Sequence, residues 1–165
     1  MGTLRVRTMM AAGVLVLLIG SLSACGGDDE TDAGGTGGDT STPADGGSVD
    51  VTLQEFAIAT VPSAAAEGAV AFNVSNIGPD DIHEFVVVST DLPATDLPTE
   101  ENGSVSEDAA GMEVVDEVED LAVDANETLT VDLDAGNYVL ICNIYDADEH
   151  ESHYQEGMRT SFIVE

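Results

Sequence analysis

From Val49 onward the apolar residues of this chain recur at every second position in short runs separated by turn residues, a pattern that commits it to sheets. Val49, Val51 and Leu53 alternate with polar neighbours, and Val70, Phe72 and Val74 line one face before the turn Asn76-Ile77-Gly78-Pro79-Asp80. His83 to Val88 reads as a third strand. Thr128 to Leu133 alternates again, Asp134-Ala135-Gly136-Asn137 turns the chain, Tyr138 to Cys142 returns it, and Thr160 to Glu165 closes it. Short strands with regular turns and no convincing long helix predict an all-β antiparallel sandwich.

The segment from Asp91 to Asp120 is less regular. Pro93 and Pro98, then Glu100 to Ala110, suggest a loop with one short helix before a weak strand from Met112 to Val118, and no function is assigned there. Aromatics make up 4% of the chain and Trp is absent, but 43% of residues are hydrophobic. One small core of Val, Leu, Ile and a few Phe is therefore the expectation, rather than a large enzyme.

The first 48 residues carry no strand pattern. Residues 1–24 hold Arg5 and Arg7, the apolar run Met9 to Ile19 and then small residues, the layout of an export signal and too short for a confident membrane span. Leu22-Ser23-Ala24-Cys25 resembles the lipobox of bacterial lipoproteins, which implies cleavage before Cys25 and a lipid on its sulfur. Residues 25–48 are mostly Gly, Asp, Thr and Ser and read as a flexible acidic tether with a reach of roughly 25 to 30 Å, leaving 49–165 as the single folded domain. The expected location is extracytoplasmic, on the membrane through Cys25.

Charge narrows the partners. The chain has 33 acidic residues, Arg5, Arg7 and Arg159 as its cations, and a formal net charge of −30. Such a surface repels phosphate backbones, which excludes nucleic acid. It suits a saline medium, where acidity keeps a protein soluble, and it suits a cationic partner; both readings stand. The expected state is a monomer.

With Cys25 lipidated, Cys142 is the leftover thiol in an oxidising compartment, which calls for burial or a metal bond. Alternation places it on the face of Tyr138 and Leu140, pointing to the core. The loop after it supplies His150, His153 and Met158, and His83 stands at the start of another strand. Two imidazoles, a thiolate and a weak thioether are the donors of blue-copper sites: sulfur favours Cu(I), imidazole accepts both oxidation states. Each residue alone has a blander reading, Cys142 as a small buried hydrophobe and Met158 as core.

Asn76-Ile77-Gly78 running into His83-Glu84-Phe85-Val86-Val87, with Gly136 to Ile144 and His153-Tyr154-Gln155-Glu156-Gly157-Met158, is similar to the cupredoxin family, near its plastocyanin and sulfocyanin type. The resemblance covers Val49 to the end. It implies a Greek-key β-sandwich holding one type 1 copper, with His83, Cys142, His153 and Met158 as ligands and Glu84 bracing the thiolate loop. One feature departs from the family: ten residues, Asn143 to Ser152, separate Cys142 from His153, where two to four are usual. The family-like spacing of His153 to Met158 favours His153 over His150. A longer loop should loosen the site.

The resemblance implies a one-electron carrier, not an enzyme, that meets a cationic or membrane-bound redox partner. The alternatives are a copper chaperone or storage lipoprotein using the same ligands, and a module that has lost copper and only binds.

Overall fold

In the computed structural model, which describes residues 45–165, the alternating runs become the inner faces of two packed sheets. The expected signal peptide, Cys25 and the tether up to residue 44 lie outside the described residues. The strands are β1 (Asp45–Gln54), β2 (Ala57–Val61), β3 (Ala64–Ala65), β4 (Gly68–Asn76), β5 (His83–Thr90), β6 (Met112–Leu121), β7 (Asn126–Leu133), β8 (Gly136–Ile141), β9 (Tyr145–Asp146), β10 (Glu151–Ser152) and β11 (Arg159–Val164), with a four-residue helix α1 (His153–Glu156) before the last. One sheet has the order β2-β1-β4-β7 and the other β3-β11-β8-β5-β6, while β9 and β10 form a separate hairpin.

The period-2 faces meet between the sheets. Val49, Val51 and Leu53 of β1, Val70, Phe72 and Val74 of β4, Phe85 and Val87 of β5, and Tyr138 and Leu140 of β8 form one buried core with Phe162. Phe72 sits at its centre, its ring 5.3 Å from that of Phe85 and 5.5 Å from that of Phe162. Strand β5 is buried on both faces. Its other side, Val86 and Val88, packs with Val139, Ile141 and Tyr154 under Leu97 and Val105.

Three expectations are corrected here. The sandwich is not purely antiparallel: β1 runs parallel to β4, and β3 parallel to β11. Turn signals report only hairpin neighbours, whereas these pairs join strands that are not consecutive. The first strand begins at Asp45, inside the segment assigned to the tether. Asp45 pairs with Ala69, and a Cβ on Gly46 would stand 2.6 Å from the Val70 side chain, so the glycine that looks like linker is what lets the strands approach. Between Glu100 and Ala110 there is no helix, only turns and a bridge from Thr99 to Val105. Strand β2, which the sequence pattern did not signal, pairs with β1.

Truncation of Phe72 should be the costliest core change. Phe72→Ala is expected to lose about 3–5 kcal/mol in urea unfolding, while Thr130→Ala on the exposed face of β7 should stay within about 0.5 kcal/mol.

Candidate metal centre

His83, Cys142 and His153 converge at one end of the sandwich. His83 is the first residue of β5, Cys142 follows β8 and His153 opens α1. His83 Nδ1 lies 3.2 Å from His153 Nδ1, which lies 3.4 Å from Cys142 Sγ. All three side chains are buried, as is Met158, in the same core cluster as Cys142. His150 is not with them: it is exposed, with Nδ1 3.4 Å from the Tyr145 hydroxyl.

Local structure explains each placement. The buried Asn76 side chain donates to the carbonyls of Asp81 and Leu121 and accepts the Gly78 N–H, fixing the loop that delivers His83. The sequence marks Asn76 as a turn residue and as part of the motif that runs into His83, but not the hydrogen bonds its side chain makes. A register shift in β5 around Glu84 frees its N–H from the ladder, and that N–H donates to Cys142 Sγ at 3.3 Å. The Cys142 N–H donates to the Met158 carbonyl at 3.0 Å, tying the thiol to the thioether residue by backbone.

The insertion after Cys142 folds back on itself. Tyr145 pairs with Ser152, Asp146 with Glu151, and the His153 N–H donates to the Ile144 carbonyl. The extra length is thus taken up in the β9–β10 hairpin, and His153 stays 2% exposed rather than loosened. Ser152 caps α1 by accepting the Gln155 N–H and donates to the Gly103 carbonyl. Gly157, at φ 131°, turns the chain from α1 toward Met158 and β11.

The loop from Asp91 to Gly111, given no role from sequence, braces this region. Tyr154 accepts the Leu97 N–H and donates to the Ala94 carbonyl. Asn143, next to Cys142, accepts the Val105 N–H and donates to the Val105 carbonyl and the Glu107 carboxylate. Arg159 donates to the Tyr154 carbonyl and lies over the Tyr154 ring. The signal for these contacts was Tyr154 itself, a large side chain beside a ligand candidate.

Burial sets the protonation of the donors. It pushes the Cys142 thiol up to about 11, against the Glu84 N–H that favours the thiolate. It holds both imidazoles below their ordinary value, His83 further depressed by the neighbouring His153. At neutral pH the pocket therefore holds two neutral imidazoles and a thiol, with no positive charge to oppose a cation. A soft sulfur, two nitrogens and a nearby thioether fit a single copper ion better than a hard, oxygen-seeking cation.

Glu84 carries the other large shift. Burial, then repulsion from Glu117 and Glu107, raises its carboxyl to about 7, while the Asn143 N–H pulls the other way. The folded chain thus keeps this proton to about pH 7, the unfolded chain only to about 4.5, so the stability Glu84 contributes is full below 4.5 and is lost as pH rises through 7. Glu84→Gln should remove that slope. Its melting temperature relative to the parent is expected to be higher at about pH 8 than at about pH 5, as measured by thermal unfolding.

No protein-family model matches the chain, and no curated protein is similar to it in sequence. Among solved structures it is similar to the dithionite-reduced auracyanin of Roseiflexus castenholzii, with a TM-score of 0.51 and 16% identity over 74% of this chain and 98% of that one. Auracyanin B gives a TM-score of 0.49 at 20% identity, covering 75% and 91%. Rusticyanin from Thiobacillus ferrooxidans gives 0.49 at 15%, covering 72% and 77%. The two-layer sandwich, its strand order and the likeness to the Roseiflexus auracyanin identify the fold of this chain as that of the cupredoxins.

Proposed function

We propose that the chain is a blue-copper electron-transfer protein, with one copper held by His83, Cys142, His153 and Met158. The observation that carries this reading is the convergence of two imidazole Nδ1 atoms and one thiol sulfur in a buried pocket, His153 Nδ1 standing 3.2 Å from His83 Nδ1 and 3.4 Å from Cys142 Sγ. Bound copper supplies a one-electron change between Cu(I) and Cu(II). The protein's part is to present imidazole, thiolate and thioether donors that suit both states, His83 and Cys142 from strand ends and His153 and Met158 from the α1 turn before β11. Cys142 must give up its proton to bind, and the Glu84 N–H is placed to stabilise the sulfur once it does.

The chain acts outside the cytoplasm, held at the membrane by a lipid on Cys25, as a monomeric carrier and not an enzyme. Its partner is cationic or itself membrane-bound. Asp81 and Glu151 lie at the His153 ring, and the inserted hairpin adds Asp146, Asp148 and Glu149 on the same loop. An acidic rim of this kind steers cations toward the metal edge.

Copper loading and a visible spectrum test the reading. An intense blue band is expected in the parent and in His150→Ala, and its loss in Cys142→Ala and His153→Ala. A colourless Cu(II) adduct indifferent to Cys142→Ala would overturn the carrier reading in favour of copper handling. The acidic rim makes a second expectation. At low ionic strength the reduced protein should react faster with a cationic cobalt complex than with ferricyanide, and added salt should slow the first and speed the second.

A further inference from the structure

We propose that Glu55 is the positioning residue for His83, accepting the Nε2–H of its ring so that the Nδ1 lone pair faces the metal. Glu55 lies in the turn between β1 and β2, with its side chain 12% exposed. Its Oε1 accepts the Asp81 N–H at 2.7 Å and the Asp80 N–H at 3.2 Å, so it is anchored to the loop that leads into His83. His83 Nε2 stands 3.6 Å from that oxygen, in a side chain with no exposure. Nε2 has no hydrogen-bond partner, and neither has the buried Glu55 Oε2. A buried ring nitrogen without a partner, 3.6 Å from a carboxylate whose second oxygen is also unmatched, is costly left alone and satisfied when its N–H donates to that carboxylate.

The ring's other nitrogen supports the same assignment. His83 Nδ1 points to the His153 Nδ1 that neighbours Cys142 Sγ, so the two nitrogens of His83 face two different environments. A proton kept on Nε2 by a carboxylate leaves Nδ1 as a lone pair, and the nearby anion makes that nitrogen a stronger donor. Neither the spacing of the ligand candidates nor the composition of an acid-rich chain marks Glu55. The inference rests on the copper reading for its consequence, but its geometry does not depend on it.

The test has two arms. In the metal-free full chain, histidine side-chain nitrogen NMR should find His83 protonated on Nε2. Glu55→Gln keeps an oxygen for Asp80 and Asp81 but removes the anion, and the ratio of Nε2–H to Nδ1–H should fall about tenfold. In the copper-loaded chain, the same change should lower the preference for Cu(II) over Cu(I) about tenfold, a rise in potential of about 59 mV. Glu127→Gln, an exposed charge on β7, should leave the potential where it was. Glu55→Asp, which keeps the anion but withdraws it, should fall between parent and Glu55→Gln. His83 protonated on Nδ1 in the parent, or a potential in Glu55→Gln no different from that of Glu127→Gln, overturns the proposal. A parent that takes up no copper instead defeats the copper reading, and the NMR arm then decides the role of Glu55 alone.

Discussion

The pairing of β5 with β8, from Val86 opposite Ile141 to Ser89 opposite Tyr138, is the constraint on which the rest of this structure depends. Both strands are buried, and both end at the same edge of the sandwich, one in His83 and the other in Cys142. A slip of one residue would turn Cys142 out of the core and Val86 into it. The two-sided burial of β5 forbids that slip, because Phe85 and Val87 fill one core while Val86 and Val88 fill another. A rigid ladder far from solvent thus fixes the distance between a nitrogen and a sulfur at its end. What remains is to bring His153 and Met158 to the same point, and backbone bonds from Cys142 to Met158 and from Met158 to His153 do so.

How much of this was legible in the sequence follows from the range of each interaction. Strand runs are written in a local period of two, so β4, β5, β7, β8 and β11 could be read directly, and the donor types of Cys142, His83, His153 and Met158 are visible one residue at a time. Parallel pairing of β1 with β4 is a contact between distant segments and leaves no local mark. The same holds for Asn76 and Glu55, whose side chains act across 45 and 28 residues of chain on Leu121 and His83. Among so many carboxylates, nothing in the composition distinguishes one that is buried against an imidazole. The Asp91–Gly111 loop misled for a related reason. Leu97 and Val105 are isolated apolar residues without a period, yet they close the outer face of the β5–β8 pair.

The insertion between Cys142 and His153 shows why loop length is a poor guide to looseness. Lengthening a loop costs only about 0.6 kcal/mol per doubling in closure entropy, and a hairpin that pairs with itself recovers part of that. Here the chain leaves at Ile144 and returns at His153, joined by one backbone hydrogen bond, with Asp148 and Glu149 exposed at the tip of the hairpin between them. The ligand spacing that the metal would sense is therefore the short one across Ile144 and His153, not the long one along the chain.

Charge is divided between surface and interior in the same way. Arg159, the one Lys or Arg among the described residues, forms no salt bridge with the acidic surface; its guanidinium reaches the Tyr154 and Gln155 carbonyls at the end of α1 and stacks on Tyr154. Cations at a helix C-terminus are favourable, and this one ties the ligand loop to β11. The surface carboxylates are left with mutual repulsion, which salt screens over a length of about 8 Å at physiological strength. Salt should therefore act on the stability of the whole domain and on encounters with charged partners. The contacts that hold His153 and Met158 in place are short, half-buried and made to backbone carbonyls or aromatic faces, where screening reaches least. The geometry of the site is in this way insulated from the medium that the rest of the surface depends on.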